Sequence, residues 1–167
     1  MPSAPAPRSR DEDAGVTDSL WWMAQTRRPI MVGPWTSEMG FEVLYWIPYL
    51  EEVIERYKLD RDRLIVVTRG GAGVWYRAGH AVELYDYVPP GDVRLVALGA
   101  QKTMASIKQL RVTTWERKLL GLLAERMGVR RYHLLHPSRV YQALDGYWGA
   151  QTMGFTPAMQ HLRFTPV

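Results

Sequence analysis

Three short segments of the sequence combine turn residues with side chains that could do chemistry, and each one directly follows an apolar run. They read GPWTSEMG at 33–40, TRGGAGVWY at 68–76 and HPS at 136–138. In an open parallel sheet, the loops that leave the carboxyl ends of the strands gather on one rim, where ligands bind. We therefore expect the three segments to form one rim around a ligand.

Glu38 is the candidate catalytic residue, because it stands beside Trp35 at the predicted start of a helix. A carboxylate in that place can act as a general base on an attacking hydroxyl. Both Glu38 and Glu42 can also be explained as charges that complement the helix dipole. The segment has neither the Gly-Lys-Ser/Thr end of a P-loop nor the GxGxxG spacing of a dinucleotide fold, so we expect neither ATP hydrolysis nor nicotinamide binding.

The second segment supplies candidates for holding an anion. Gly70 and Gly71 allow the backbone to approach a ligand closely, and Arg69 can grip a phosphate or a carboxylate through two parallel hydrogen bonds. Two glycines after a strand are also common in simple turns, so a structural explanation stays open.

Aromatic rings and one histidine complete the set of candidate binding residues. Trp75 and Tyr76 could form a stacking floor for a sugar, or they could belong to the core. His136 could donate to a phosphate or transfer a proton, or it could be structural. The histidines show no metal-ligand spacing. They are His80, His133, His136 and His161.

Short apolar strands that alternate with helical patterns must position this rim. Strands are predicted at 29–33, 64–67, 81–88, 92–98 and 132–135. Alternation of strands and helices predicts an α/β fold, a single Rossmann-like three-layer domain with a mainly parallel sheet.

The helical segments carry clear start and stop signals. Pro48 lies inside the apolar pattern of 41–57 and predicts a kink or a restart. Thr113 and Glu116 have the spacing of a capping box for a helix that Gly128 ends. Ser138 can cap a last helix.

Length and composition limit the classes of protein to which the chain can belong. Its 167 residues and 19.2 kDa suit one domain with a core. The absence of cysteine excludes disulfides and thiolate chemistry, and a cytoplasmic location is expected. No apolar run is long enough to span a membrane. The net charge is +4, but the basic residues are scattered among acidic ones, so we expect no nucleic-acid binding.

The domain boundaries follow from changes in composition. Residues 1–18 have almost nothing to bury and are predicted to be a flexible tail. The segment SLWWMAQ at 19–25 is apolar enough to dock on the body or to serve as a contact surface. The predicted domain spans 19–150, and 151–167 is a C-terminal extension or the start of an interdomain linker.

The residues of the three segments are similar to those of a known family. GPWTSEMGFEVLYWIPYLEEVIERY, then RLIVVTRGGAGVWY, then LLHPSRVY, resembles the amino-terminal half of GT-B-type glycosyltransferase-like proteins from bacterial polysaccharide gene clusters. The resemblance implies transfer of a sugar from a nucleotide-sugar donor to an acceptor hydroxyl, without a metal or another cofactor. It implies an acceptor-side domain in which Glu38 is the base and Arg69, Gly70, Gly71 and His136 face the cleft. In the mechanism that we expect, the acceptor stacks over Trp35 and Trp75, and Tyr76 completes the binding residues.

The length departs from that family. A two-domain enzyme needs about twice as many residues, so the resemblance implies a missing C-terminal donor domain or a second polypeptide that supplies it. The alternative is a non-catalytic module that binds a sugar or nucleotide, or that scaffolds another protein through Trp21 and Trp22.

Overall fold

A computed structural model describes residues 19–89 and 109–149, and the sheet lies at the centre of this part of the chain. Its strands are β1 (Ile30–Val32), β2 (Leu64–Thr68), β3 (His80–Glu83) and β4 (His133–Leu135). They lie in the order β3-β2-β1-β4, and every pairing is parallel. The predicted α/β fold with a parallel sheet is confirmed.

Helices cover both faces of the sheet. Residues 19–25 are helical and are called α1. The other helices are α2 (Ile47–Tyr57), α3 (Thr114–Arg126) and α4 (Ser138–Gly149). A helical turn (Met39–Phe41) and a π-helical stretch (Glu42–Trp46) lead directly into α2. Short 3-10 turns lie at Arg61–Arg63, Ala72–Trp75 and Leu84–Asp86.

The π-helical stretch explains how Pro48 is accommodated. Proline has no N–H, and its ring strikes the carbonyl of the preceding turn in a regular α-helix. Here Pro48 lies in the first turn of α2, directly after the π-helical stretch. The turn before it is widened, because the Ile47 N–H bonds back to the Glu42 carbonyl. The sequence predicted a kink or a restart at Pro48, and the structure has a change from π-helical to α-helical bonding just before it, without a break in the helix.

The alternation of side chains along β1 divides the core into two clusters. Ile30 and Val32 point toward α1, α2 and α4, where the buried neighbours include Leu20 and Leu50. Met31 points to the opposite face. Its partners on α3 are Leu119, Leu120 and Leu123. The sheet is therefore the middle layer of three.

Local signals placed most of the described elements correctly. Thr113 and Glu116 form both bonds of a capping box at α3, and Gly128 follows the end of that helix with a positive φ of 69°. The strand predicted at 81–88 is shorter, because a 3-10 turn begins at Leu84. The strand predicted at 92–98, the tail 1–18 and the extension 151–167 lie outside the described residues and stay predictions. No helix within 19–89 and 109–149 has the length and apolarity to cross a membrane.

Candidate functional site

The order of the strands places a topological switch point between β1 and β4, and we call the rim at this point the crevice. From β1 the chain moves outward to β2 and β3, whereas β4 pairs with the other side of β1. Loops that leave two such strands diverge, and ligands of open parallel sheets bind there. The crevice is bordered by the first loop, 33–38, and by His136–Ser138. The Gly33 N–H bonds to the Leu135 carbonyl at 3.0 Å, which fixes the two loops at their base.

Trp35 folds back into the core at the start of the first loop. Its side chain is 1% exposed, and its ring stacks between Trp46 and Tyr141 at centroid distances of 6.3 and 6.0 Å. The indole N–H donates to the Glu38 carbonyl at 3.0 Å. A sugar has no access to this ring, so the predicted stacking on Trp35 does not fit this structure. Trp35 instead shapes the loop that presents Glu38.

Glu38 is exposed at the N-cap position of the helical turn Met39–Phe41. Its side chain makes no capping hydrogen bond, although a shorter Asp or Ser commonly does so in that place. Burial raises the pKa of Tyr141, a hydrogen bond with Ser37 opposes that rise, and the Glu38 charge adds to it. Glu38 therefore stands within electrostatic reach of α4, across the crevice from the first loop.

Arg69 holds the first loop rather than an open space. Its Nε donates to the Trp35 carbonyl at 2.8 Å, and its Nη2 donates to the Ser37 carbonyl at 2.7 Å. Two backbone carbonyls just before Glu38 are thereby fixed by one guanidinium. The planar fork of arginine suits this double contact. The structure thus places Arg69 at the rim, where its Nε and Nη2 donate to the loop that it supports.

The two glycines of the second loop enclose a carboxylate from the same chain. Gly70 and Gly71 have positive φ values of 63° and 82°, and their N–H groups donate to the two Glu83 carboxylate oxygens at 3.0 and 2.9 Å. Successive N–H groups in such a conformation form an anion-binding concavity. Glu83 fills it in this structure, so another anion would have to displace that side chain.

Tyr76 and Glu42 form a hydrogen bond behind the first loop. The Tyr76 hydroxyl donates to Glu42 at 2.6 Å, and Glu42 is 3% exposed. Burial raises the pKa of Glu42, and the opposing effects of the Tyr76 hydrogen bond and the Arg69 charge are smaller. Burial also raises the pKa of Tyr76. Trp75, at the end of the Ala72–Trp75 turn, is partly exposed.

A second buried carboxylate, Glu116, lies at the base of the crevice and contacts His136. The Glu116 Oε1 is 3.2 Å from the His136 Nε2, and Oε2 accepts from the Thr113 N–H and hydroxyl at 2.7 and 2.8 Å. The Ser138 N–H donates to the other histidine nitrogen at 3.1 Å. That donation leaves Nε2 to carry the proton toward Glu116. His136 is 2% exposed, and both of its nitrogens are engaged inside the protein.

Gln109 connects this histidine–carboxylate pair to the first loop. Its Nε2 donates to Glu116 and to the Pro34 carbonyl, each at 2.8 Å. Its Oε1 accepts from the Thr36 N–H at 2.7 Å. Sequence reasoning missed Gln109, and no local signal identifies a residue that bonds to a loop 73 positions away. The chain from His136 through Glu116 and Gln109 fixes the loop that carries Glu38.

The structure therefore brings together part of the predicted site. Four parts of the predicted site meet at the first loop, namely Trp35, Glu38, Arg69 and the cluster around His136. Tyr76 bonds to Glu42, which lies in the helical segment that follows this loop. Trp75, Gly70 and Gly71 belong to the second loop. Within 19–89 and 109–149, no group of three or more His, Asp or Glu is placed to hold a metal ion.

Comparisons of the chain with protein-family models, with curated proteins and with solved structures gave no match. The assignment of a function therefore rests on the rim itself.

Proposed function

We propose that this domain is the acceptor-binding half of a metal-independent glycosyltransferase, which moves a sugar from a nucleotide-sugar to an acceptor hydroxyl. The proposal includes a donor domain from a further part of the protein or from a second polypeptide. In it, Glu38 takes the proton of the attacking hydroxyl.

The free carboxylate of Glu38 carries the proposal. It is exposed on the rim and makes no capping bond, so it is open to a ligand. A general base must lie within hydrogen-bond reach of the proton that it removes. The loop that presents Glu38 is fixed by Arg69 from one side and by Gln109 from the other. Such support from neighbouring side chains is what a positioned base requires.

The test begins with the protein purified from its own host together with any chain that copurifies. Native mass spectrometry identifies a second chain, and transfer is measured as release of nucleoside diphosphate from a panel of nucleotide-sugars with oligosaccharide acceptors. Glu38→Gln should lower turnover by about two to four orders of magnitude, the usual contribution of a general base.

Glu55→Gln is the matched control, because Glu55 is an exposed carboxylate on α2, away from the rim. This variant should retain wild-type turnover. Near-normal turnover of Glu38→Gln would remove Glu38 from the mechanism. If the purified protein, with every associated chain, neither transfers a sugar nor binds an oligosaccharide, the proposed function is wrong.

A second candidate is a non-catalytic module that binds a sugar or scaffolds another protein. The observation that favours it is the internal use of the anion-binding groups, because Glu83 occupies the Gly70 and Gly71 N–H groups. Oligosaccharide binding that is unchanged by Glu38→Gln, in a protein without transfer activity, would support this candidate over the first.

A further inference from the structure

The short helix α1 packs on the face of the sheet that α2 and α4 also cover, and its last turn lies near the start of β2. Leu20 and Met23 are 3% and 5% exposed and belong to the core. The Met23 carbonyl accepts from Arg63 at 2.8 Å, and the Ser19 hydroxyl accepts from Arg139 at 2.7 Å. Contacts at both ends therefore fix which side of α1 faces outward.

The outward side of α1 presents two adjacent tryptophans. Trp21 is 51% exposed and Trp22 is 60% exposed, and their rings meet edge to face at 5.5 Å. Single exposed apolar side chains are normal on a protein surface. Two neighbouring indoles on an anchored helix form a contiguous apolar surface instead, and such surfaces mark interaction sites.

Two arginine pairs lie at the same edge of the sheet. Arg27 and Arg28 precede β1, and Arg130 and Arg131 precede β4. Because Ile30 pairs with His133 in the parallel register and the His133 N–H bonds to the Pro29 carbonyl, Arg28 and Arg131 each lie two positions before strands that are about 4.8 Å apart. All four arginines are exposed. The two pairs therefore precede neighbouring strands.

The contacts of His133 show that the arginines and the strand entrances are close. His133 Nε2 is 2.6 Å from the Thr26 hydroxyl. Burial lowers the pKa of His133, and the charges of Arg28 and Arg63 lower it further. The positive charge of Arg28, just before β1, therefore acts on His133 at the start of β4.

The end of α1 lies near the arginines, because the Met23 and Arg28 carbonyls both accept from Arg63. Three residues of helix and two of extended chain separate Trp22 from Arg27, so their Cα atoms are at most about 12 Å apart. We name this surface the amino-edge patch. It consists of Trp21, Trp22, Arg27, Arg28, Arg130 and Arg131.

We propose that the amino-edge patch docks the protein on an anionic lipid surface. Indole rings favour the headgroup level of a bilayer, where one side of the ring is apolar and the other is hydrated. Arginines beside them gain electrostatic attraction from anionic lipids. Apolar and cationic groups on one face are the combination that binds such an interface without a membrane-spanning helix.

The arginines of the amino-edge patch lie at the edge where the parallel strands begin, whereas Glu38 and the crevice lie where they end. The inference does not depend on the proposed function, because it uses none of the residues of the crevice.

The test is flotation of the full chain with vesicles of phosphatidylcholine alone and with vesicles that contain 30% phosphatidylglycerol. We expect binding to the anionic vesicles only, with loss at high salt. Arg27→Gln/Arg28→Gln should weaken binding by about 10- to 30-fold, and Trp21→Ala/Trp22→Ala by about tenfold.

Arg117→Gln/Lys118→Gln is the matched control, because it also removes two neighbouring exposed charges, on α3. Its effect should be less than about twofold. An equal loss of vesicle binding in this control would show that only the net charge matters, and it would overturn the proposal. Absence of wild-type flotation would overturn it as well. So would retention of duplex DNA at moderate ionic strength with no dependence on Trp21 and Trp22, since that result identifies a nucleic-acid surface.

Discussion

Two buried carboxylates on either side of the first loop titrate in opposite directions. Glu42 is 3% exposed and Glu116 is 2% exposed, so burial disfavours the charged form of both. The pKa of Glu42 is nevertheless raised, whereas that of Glu116 is lowered. For Glu116, burial is the largest effect, but the hydrogen bonds from His136, Thr113 and Gln109 and the electrostatic attraction of His136 together outweigh it.

The number of donors explains the difference. Glu42 receives one hydrogen bond, from Tyr76. Glu116 receives contacts at both oxygens, from His136 and Gln109 at one and from Thr113 at the other. A carboxylate that accepts several hydrogen bonds keeps its charge inside a protein. At the base of the crevice, the local set of donors therefore decides the charge state, and the degree of burial does not.

The largest expected effect comes from Glu116→Gln. Glutamine replaces one acceptor oxygen by an NH2 group, which then faces the donors that the carboxylate satisfied. We expect the free energy of unfolding to fall by about 3 kcal/mol at pH 7, because buried donors lose their acceptor. Urea unfolding followed by tryptophan fluorescence measures the change.

The pH dependence of the same variant checks the cause. A lowered pKa means that Glu116 stabilises the wild type above its unfolded pKa, and that this contribution is lost as the pH falls through the folded pKa. The difference in the free energy of unfolding between wild type and Glu116→Gln should therefore become smaller in acid. A difference that stays constant from pH 7 to pH 3 would contradict the assignment of a charged Glu116.

A smaller effect is expected from Tyr76→Phe, which removes the donor to Glu42. We expect a loss of about 2 kcal/mol at pH 7, since a buried carboxyl group would keep no side-chain donor in the described structure. Tyr57→Phe is the control, because Tyr57 also packs against the core cluster of α2. The control should lie within about 0.5 kcal/mol of wild type. Equal losses in the two variants would show that ring packing, and not the Glu42 contact, is measured.

The fold could be predicted from the sequence because its signals are local. Short apolar runs predicted β1, β2 and β4, and the spacing from Thr113 to Glu116 predicted the capping box. Pro48 predicted a kink or a restart, and the helix changes from π-helical to α-helical bonding just before it, since the proline ring disturbs the preceding turn. The end of β3 was missed, because the alternating apolar pattern continues past Glu83 into a 3-10 turn.

The site could be predicted only as a set of loops. Which side chains face a ligand depends on partners far along the chain, such as Gln109, which bonds to Pro34 across 75 positions. Glu83 fills the glycine loop from 12 and 13 positions away, and nothing in RGGAG indicates this. Trp35 was expected at the surface of the crevice, yet stacking on two aromatic rings places it in the core.

The smallest effect is expected from Glu42→Gln, and its sign should depend on pH. At pH 4, just below the unfolded pKa, glutamine resembles the protonated carboxyl group. The loss in the free energy of unfolding should therefore be under about 1 kcal/mol. Because the folded pKa of Glu42 is raised, the wild type loses stability as the pH rises from the unfolded pKa through the folded one. Glutamine does not ionise, so the variant should become relatively more stable across that range. Urea unfolding at pH 4 and pH 8 measures both differences. If Glu42→Gln were instead relatively less stable at pH 8, Glu42 would be a second stabilising carboxylate, and the contrast with Glu116 would disappear.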